Sequence, residues 1–173
     1  MTIGSCGRLT AALVLAWVTG VSDAGAQARR PVAIEATAGW AGFVDDATIE
    51  HTVWGIGARV PLGSRLSVGP EVLYMIGPGS DRDVFVLGSL WVDLGPRPEA
   101  ARVVPYLVVG GGYEWHSDRF ATGRYVSGEG AFTAGGGARV HLNDRIYLGG
   151  EARIGWELHL QATAHVGVTW PRR

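Results

Sequence analysis

His116, Ser117 and Asp118 stand side by side in the chain and supply the residue types of a base, a nucleophile and an orienting acid. A hydrolytic triad needs those groups to converge on one point. Successive residues of an extended strand point to opposite faces, so three in a row do not form a triad. No catalytic residue is assigned. His51, His141, His159 and His165 are dispersed, without the close spacing of metal ligands on one element. Gly110–Gly112 and Gly135–Gly137 are not phosphate loops, because neither opens a helix and the chain contains no Lys. Asp45-Asp46 and Asp81-Arg82-Asp83 could touch divalent cations, and solvated loop charge is the simpler reading. No metal or cofactor is expected.

The sharper constellation is a set of charges that share a parity. Glu35, Arg59, Glu71, Asp93, Glu114, Arg139, Glu151 and Arg153 all lie on the face of their segment opposite the apolar one. If that face is interior, these groups must pair, because an uncompensated buried charge costs several kcal/mol. The chemistry they suggest is an ion-pair network that fills a lumen, and a small gated pore is the functional alternative.

The elements that carry them alternate with period two throughout. Apolar positions recur at Val32, Ile34, Ala36, Ala38 and Trp40, then at Trp54, Ile56, Ala58 and Val60, and so on to Leu160–Trp170. About eight strands are expected: near 32–40, 53–60, 65–74, 83–94, 103–115, 130–142, 146–156 and 160–170. Leu62-Gly63-Ser64 and Leu142-Asn143-Asp144 read as tight turns at one end, with the Pro-bearing connection 95–101. The connections 43–49, 77–82 and 116–128 lie at the other end, and the last is expected to be the longest loop. Gly55–Glu71 recurs 80 residues later as Gly135–Glu151 with nine of seventeen positions identical. A repeated strand–turn–strand unit of this kind points to a closed antiparallel barrel.

Alternation alone leaves open which face is inside. Three features put the apolar face against lipid. Its aromatic residues crowd the strand ends: Trp40, Trp54, Tyr74, Tyr113, Trp115 and Trp156 at the long-loop end, and Trp170 at the other. That is the pattern of an interfacial girdle. Glycines such as Gly55, Gly57, Gly69, Gly135, Gly137 and Gly149 share the charged face, where a narrow bore needs room for long side chains. The apolar face stays nearly free of charge for about ten residues per strand, the length of a tilted transmembrane strand.

Residues 1–28 read as a signal peptide: Arg8, an apolar run from Leu9 to Val18, a break at Gly20 and small residues for cleavage near 26–28. Cys6, the single cysteine, lies within it, so 29–173 is expected to form one barrel domain without thiol chemistry. A formal net charge of −1 offers no broad basic patch for nucleic acid. All 15 basic residues other than His are Arg, which disfavours an ordinary water-exposed surface.

Gly55-x-Gly-Ala-Arg-Val-x-Leu-x-x-Arg65, Pro105–Tyr113 and the closing Gly167-Val-Thr-Trp170 resemble the small eight-stranded outer-membrane β-barrels, the OmpA/OmpX-like group. The resemblance spans essentially the whole chain after the leader. It implies an all-β, eight-stranded antiparallel up-and-down transmembrane β-barrel. It further implies insertion by the barrel-assembly machinery, contact with outer-membrane lipid and lipopolysaccharide, termini in the periplasm and long loops outside. A monomer is expected. Members commonly end on an aromatic residue, whereas here Pro171-Arg172-Arg173 follow Trp170. The expected role is structural or one of surface interaction, not enzymatic. A lipid-A-modifying surface enzyme and a soluble secreted, lipocalin-like barrel are the alternatives.

Overall fold

The protein is known here from a computed structural model, which describes residues 31–44, 48–94 and 101–170. The expected leader, Asp45-Asp46, most of the 95–101 connection and the last three residues lie outside the described residues. Eight strands follow one another: β1 (Val32–Val44), β2 (Thr48–Pro61), β3 (Leu66–Ile76), β4 (Arg82–Asp93), β5 (Val103–Phe120), β6 (Gly123–His141), β7 (Ile146–Gly155) and β8 (His159–Trp170). Each pairs antiparallel with its chain neighbour, and β8 closes on β1 from Val32↔Trp170 to Phe43↔His159. Closure removes both sheet edges, so the ladder satisfies the backbone without help from solvent, as a bilayer core requires.

The two tight turns form where the repeat places them. Leu62 N–H donates to Leu66 O at 2.9 Å, and Leu142 N–H to Ile146 O at 2.9 Å. In the second, Asn143 Oδ1 also accepts from the amides of Arg145 and Ile146 at 2.8 and 2.9 Å, an Asx turn. At the opposite end one expectation fails. The stretch 116–128 is not a long loop: β5 and β6 continue through it, paired from His116↔Ser127 to Phe120↔Gly123. Only Ala121 and Thr122 turn the chain, with Gly123 at φ 147°, a backbone conformation open to glycine. The neighbours stop earlier, β4 at Arg82↔Ser117 and β7 at Thr133↔Gly155. The far end of β5–β6 is therefore a two-stranded ribbon rising above the barrel.

Side-chain direction settles which face is inside. Ile56, Leu107, Val109, Leu148, Ile154 and Leu160 are exposed on the outer wall. Arg59, Asp93, Arg139 and Arg153 are buried in the lumen. That is the inverse of a water-soluble barrel and the arrangement of a transmembrane one. The soluble, ligand-carrying alternative needs an apolar cavity where this chain puts guanidinium groups and carboxylates.

Candidate functional site

The lumen is layered, and strand register decides each layer. Toward the tight-turn end, Glu35 on β1 meets Arg59 on β2, whose Nε donates at 2.9 Å. Tyr147 on β7 donates its hydroxyl to the same carboxylate. Arg139 on β6 pairs with Asp93 on β4. The Arg59 guanidinium lies 4.2 Å from the Trp91 ring centroid and 5.0 Å from that of Tyr106. Arg139 lies 5.3 Å from Tyr106. Stacked rings and carboxylates together replace the water that each cation gives up.

One level higher, Arg153 on β7 spans the bore to Glu71 on β3, four strands away around the barrel. Nη1 and Nη2 donate to the two carboxylate oxygens at 2.9 Å each. Arg153 Nε pairs with Glu151, two residues away on the same strand. Ser89 donates to Glu71, and Tyr106 donates to Glu151 at 3.0 Å, joining the two levels.

Seven of the eight charged residues singled out by parity thus meet one another. Glu114 does not. It is buried on the lumen face, but register sets it opposite Phe85 and Glu129, so no arginine faces it from either neighbouring strand. It gathers instead with Glu129 and Glu157, their carboxylate oxygens within 4.8 Å of one another. Its Oε2 has no hydrogen-bond partner among the described residues.

Parity reasoning also missed an apolar layer. Ala41, Val53, Leu73, Met75, Phe85, Leu87 and Ala131 form one buried cluster, with Phe43 against it, between the arginine layers and the outer rim. These residues share the face of Glu35 and Arg59. The mixed character of strand four, with Phe85 and Trp91 beside Asp83 and Asp93, was the available signal.

Three glycines of the inner face make room for rings, whereas others, such as Gly69 and Gly135, lie against the backbone of the neighbouring strand. A Cβ on Gly167 would lie 2.1 Å from the Tyr147 ring, one on Gly149 2.1 Å from His165, and one on Gly155 2.2 Å from His159. On the outer wall, Trp54, Tyr74, Tyr113, Trp115 and Trp156 are exposed at one level, and Trp170 at the other end. Trp40 is only half-buried against this wall, its ring lying over Gly42. Phe132 joins the belt, 5.8 Å from Trp156.

The rim above the apolar layer collects His51, Asp81, Asp83 and His116. His51 Nε2 lies 3.0 Å from Asp81 Oδ2 and 3.1 Å from Asp83 Oδ2. His116 Nδ1 lies 2.7 Å from Asp83 Oδ1 and 3.4 Å from Asp81 Oδ1. The chain order hid this group, because β2, the β3–β4 turn, β4 and β5 each supply one member. The consecutive His116, Ser117 and Asp118 take separate partners. Ser117 Oγ accepts from Arg124 at 3.2 Å, and Asp118 accepts from Ser80 Oγ at 2.6 Å. They do not form a triad.

No family model and no curated protein matches the sequence. Solved structures do match. Neisserial surface protein A superposes with a TM-score of 0.71 at 12% identity, over 80% of this chain and 97% of that one. The N-terminal β-barrel domain of Pseudomonas aeruginosa OprF gives 0.68 at 12% identity, over 83% and 100%. The fold is that of the small outer-membrane barrels. Ail, the attachment invasion locus protein of Yersinia pestis, matches less closely, at 0.54 and 9% identity over 81% and 97%.

Proposed function

We propose that this chain is a bacterial outer-membrane barrel whose closed lumen serves as a rigid scaffold, and whose outer end acts in surface interaction. The observation that carries the reading is the filled bore. Three arginines, four carboxylates, three aromatic rings and an apolar layer occupy the space where a channel would run. An eight-stranded barrel has little space beyond what its own side chains fill. The termini and tight turns then face the periplasm, and the β5–β6 ribbon faces outward. The outer wall meets lipid and lipopolysaccharide after delivery by the barrel-assembly machinery, and the chain acts as a monomer. The names of two structural neighbours, a surface protein and an attachment protein, support a role at the cell surface.

Two measurements test this. Unboiled and boiled samples of the outer-membrane fraction should differ in gel mobility. Recovery as a soluble periplasmic protein without that shift would overturn the location. In planar bilayers the purified protein should pass no steady current. Large, sustained single-channel currents would replace the scaffold reading with a pore.

A further inference from the structure

The geometry points to a transition-metal site of the zinc class on the outer rim, with His51 Nε2, Asp81 and Asp83 as ligands. Four observations lead to it. First, the spacing fits. A tetrahedral ion with bonds of about 2.0–2.1 Å holds neighbouring ligand atoms about 3.3 Å apart. His51 Nε2 lies 3.0 and 3.1 Å from Asp81 Oδ2 and Asp83 Oδ2, and one ligand atom from each of the three residues falls within 4.8 Å of the others.

Second, the His51 ring is already oriented as a ligand. Its Nδ1 lies 3.3 Å from the Ile49 carbonyl oxygen. A carbonyl only accepts, so Nδ1 carries a proton, and the ring aims Nε2 between two carboxylates, where a metal ion would take the place of a second ring proton. An N–H anchored on a backbone carbonyl is also the usual outer support of a metal-bound imidazole.

Third, no arginine among the described residues pairs with either carboxylate. Asp83 is buried. The adjacent Arg82 turns its Nη1 to the carbonyls of Gly77 and Gly79, at 3.4 and 3.2 Å. Asp81 Oδ1 is sealed from water and accepts no hydrogen bond among the described residues. A divalent ion would neutralise both carboxylates at once. The nearby Glu114, Glu129 and Glu157 would raise the local cation concentration at the rim.

Fourth, the backbone leaves space. A Cβ on Gly77 would lie 2.4 Å from His51 Nε2 and 2.5 Å from Asp81 Oδ2. Glycine there lets the two side chains meet. An imidazole with two carboxylates favours zinc and its first-row neighbours over calcium and magnesium, which prefer all-oxygen sets. The site would tie β2, the β3–β4 turn and β4 together near the base of the projecting ribbon.

The test uses the untagged, purified chain folded in detergent micelles, titrated with zinc against a chromophoric chelator. One equivalent should bind, and millimolar calcium or magnesium should not displace it. His51→Gln and Asp83→Asn should each weaken zinc binding by about 100-fold or more, whereas Asp118→Asn should leave it unchanged. A retained gel-mobility shift shows that each variant is folded. X-ray absorption of the zinc-loaded wild type should show imidazole scattering, a readout independent of any variant. Absence of stoichiometric binding, displacement by calcium, ligand variants that bind like wild type, or a zinc shell without imidazole would each overturn the site.

Discussion

Arg153 is the residue on which the lumen most depends, because among the described residues no other ion pair runs from β7 to β3, and it holds two carboxylates. Arg153→Met should leave Glu71 and Glu151 buried without their cation and cost about 3–5 kcal/mol. Urea unfolding in micelles measures this, and a change within the error of the midpoint would show that water already solvates the pair. Arg59 has a second kind of support, the faces of Trp91 and Tyr106. Arg59→Lys keeps the charge near Glu35 but loses the planar stack, so a smaller loss of about 1 kcal/mol is expected in the same assay. Gly167→Ala drives a methyl into the Tyr147 ring. Overpacking of this kind should cost about 1–3 kcal/mol, with an equal effect on Tyr147→Phe and wild-type backgrounds, since the clash is with the ring and not its hydroxyl.

Among the elements, the β5–β6 ribbon and the β7–β8 turn depart most from a plain barrel. A two-stranded ribbon has little stability of its own. It is strapped to the β3–β4 turn by Ser80, which donates to Asp118 Oδ1 at 2.6 Å and accepts from Arg119 N–H at 3.0 Å. Replacing residues 117–126 by a two-residue turn should leave the barrel folded, with its gel shift intact. Loss of the shift would show that the ribbon is needed for closure. The β7–β8 turn places Glu157 at φ 56° and Leu158 at φ 37°. A hydrogen bond shared with Glu129, aided by partial burial, holds the Glu157 carboxyl above the ordinary carboxylate range. The raised value sets the sign. The contact is complete below the ordinary pKa of Glu and is lost as pH rises through the raised one. Protection factors for the amides of 158–160 should therefore fall with rising pH, and Glu157→Gln should flatten that dependence. A fall of the same size in the variant would place its origin elsewhere.

For the whole molecule, the decisive property is the inversion of polarity, with arginines inside and aliphatic side chains outside. Val109 stands midway along the membrane-facing part of β5 and points outward. Val109→Arg should cost about 2–4 kcal/mol in bilayers, the penalty of a cation at the midplane of a barrel wall. Folding into liposomes measures it. In a soluble barrel the same substitution would be nearly neutral, so a null result would remove the chain from the membrane.

Strand number, the antiparallel order, the inner and outer parity of each residue and the two tight turns were all legible in the chain. Each depends on local alternation and turn chemistry, which neighbours in sequence carry. The ribbon was not legible: above the membrane both faces meet water, so the alternation that marks a strand disappears and polar residues imitate a loop. Parity placed Glu114 with the other inward charges, yet its height in the bore, above the apolar layer, decides that no arginine reaches it. The pairing of Arg153 with Glu71 and the meeting of His51 with Asp81, Asp83 and His116 depend on closure and stagger, which bring strands distant in sequence to one level. The sequence by itself thus determined which side chains enter the bore. Only the closed tertiary structure decided which of them meet, because contact across a lumen is a property of curvature and register that no single strand contains.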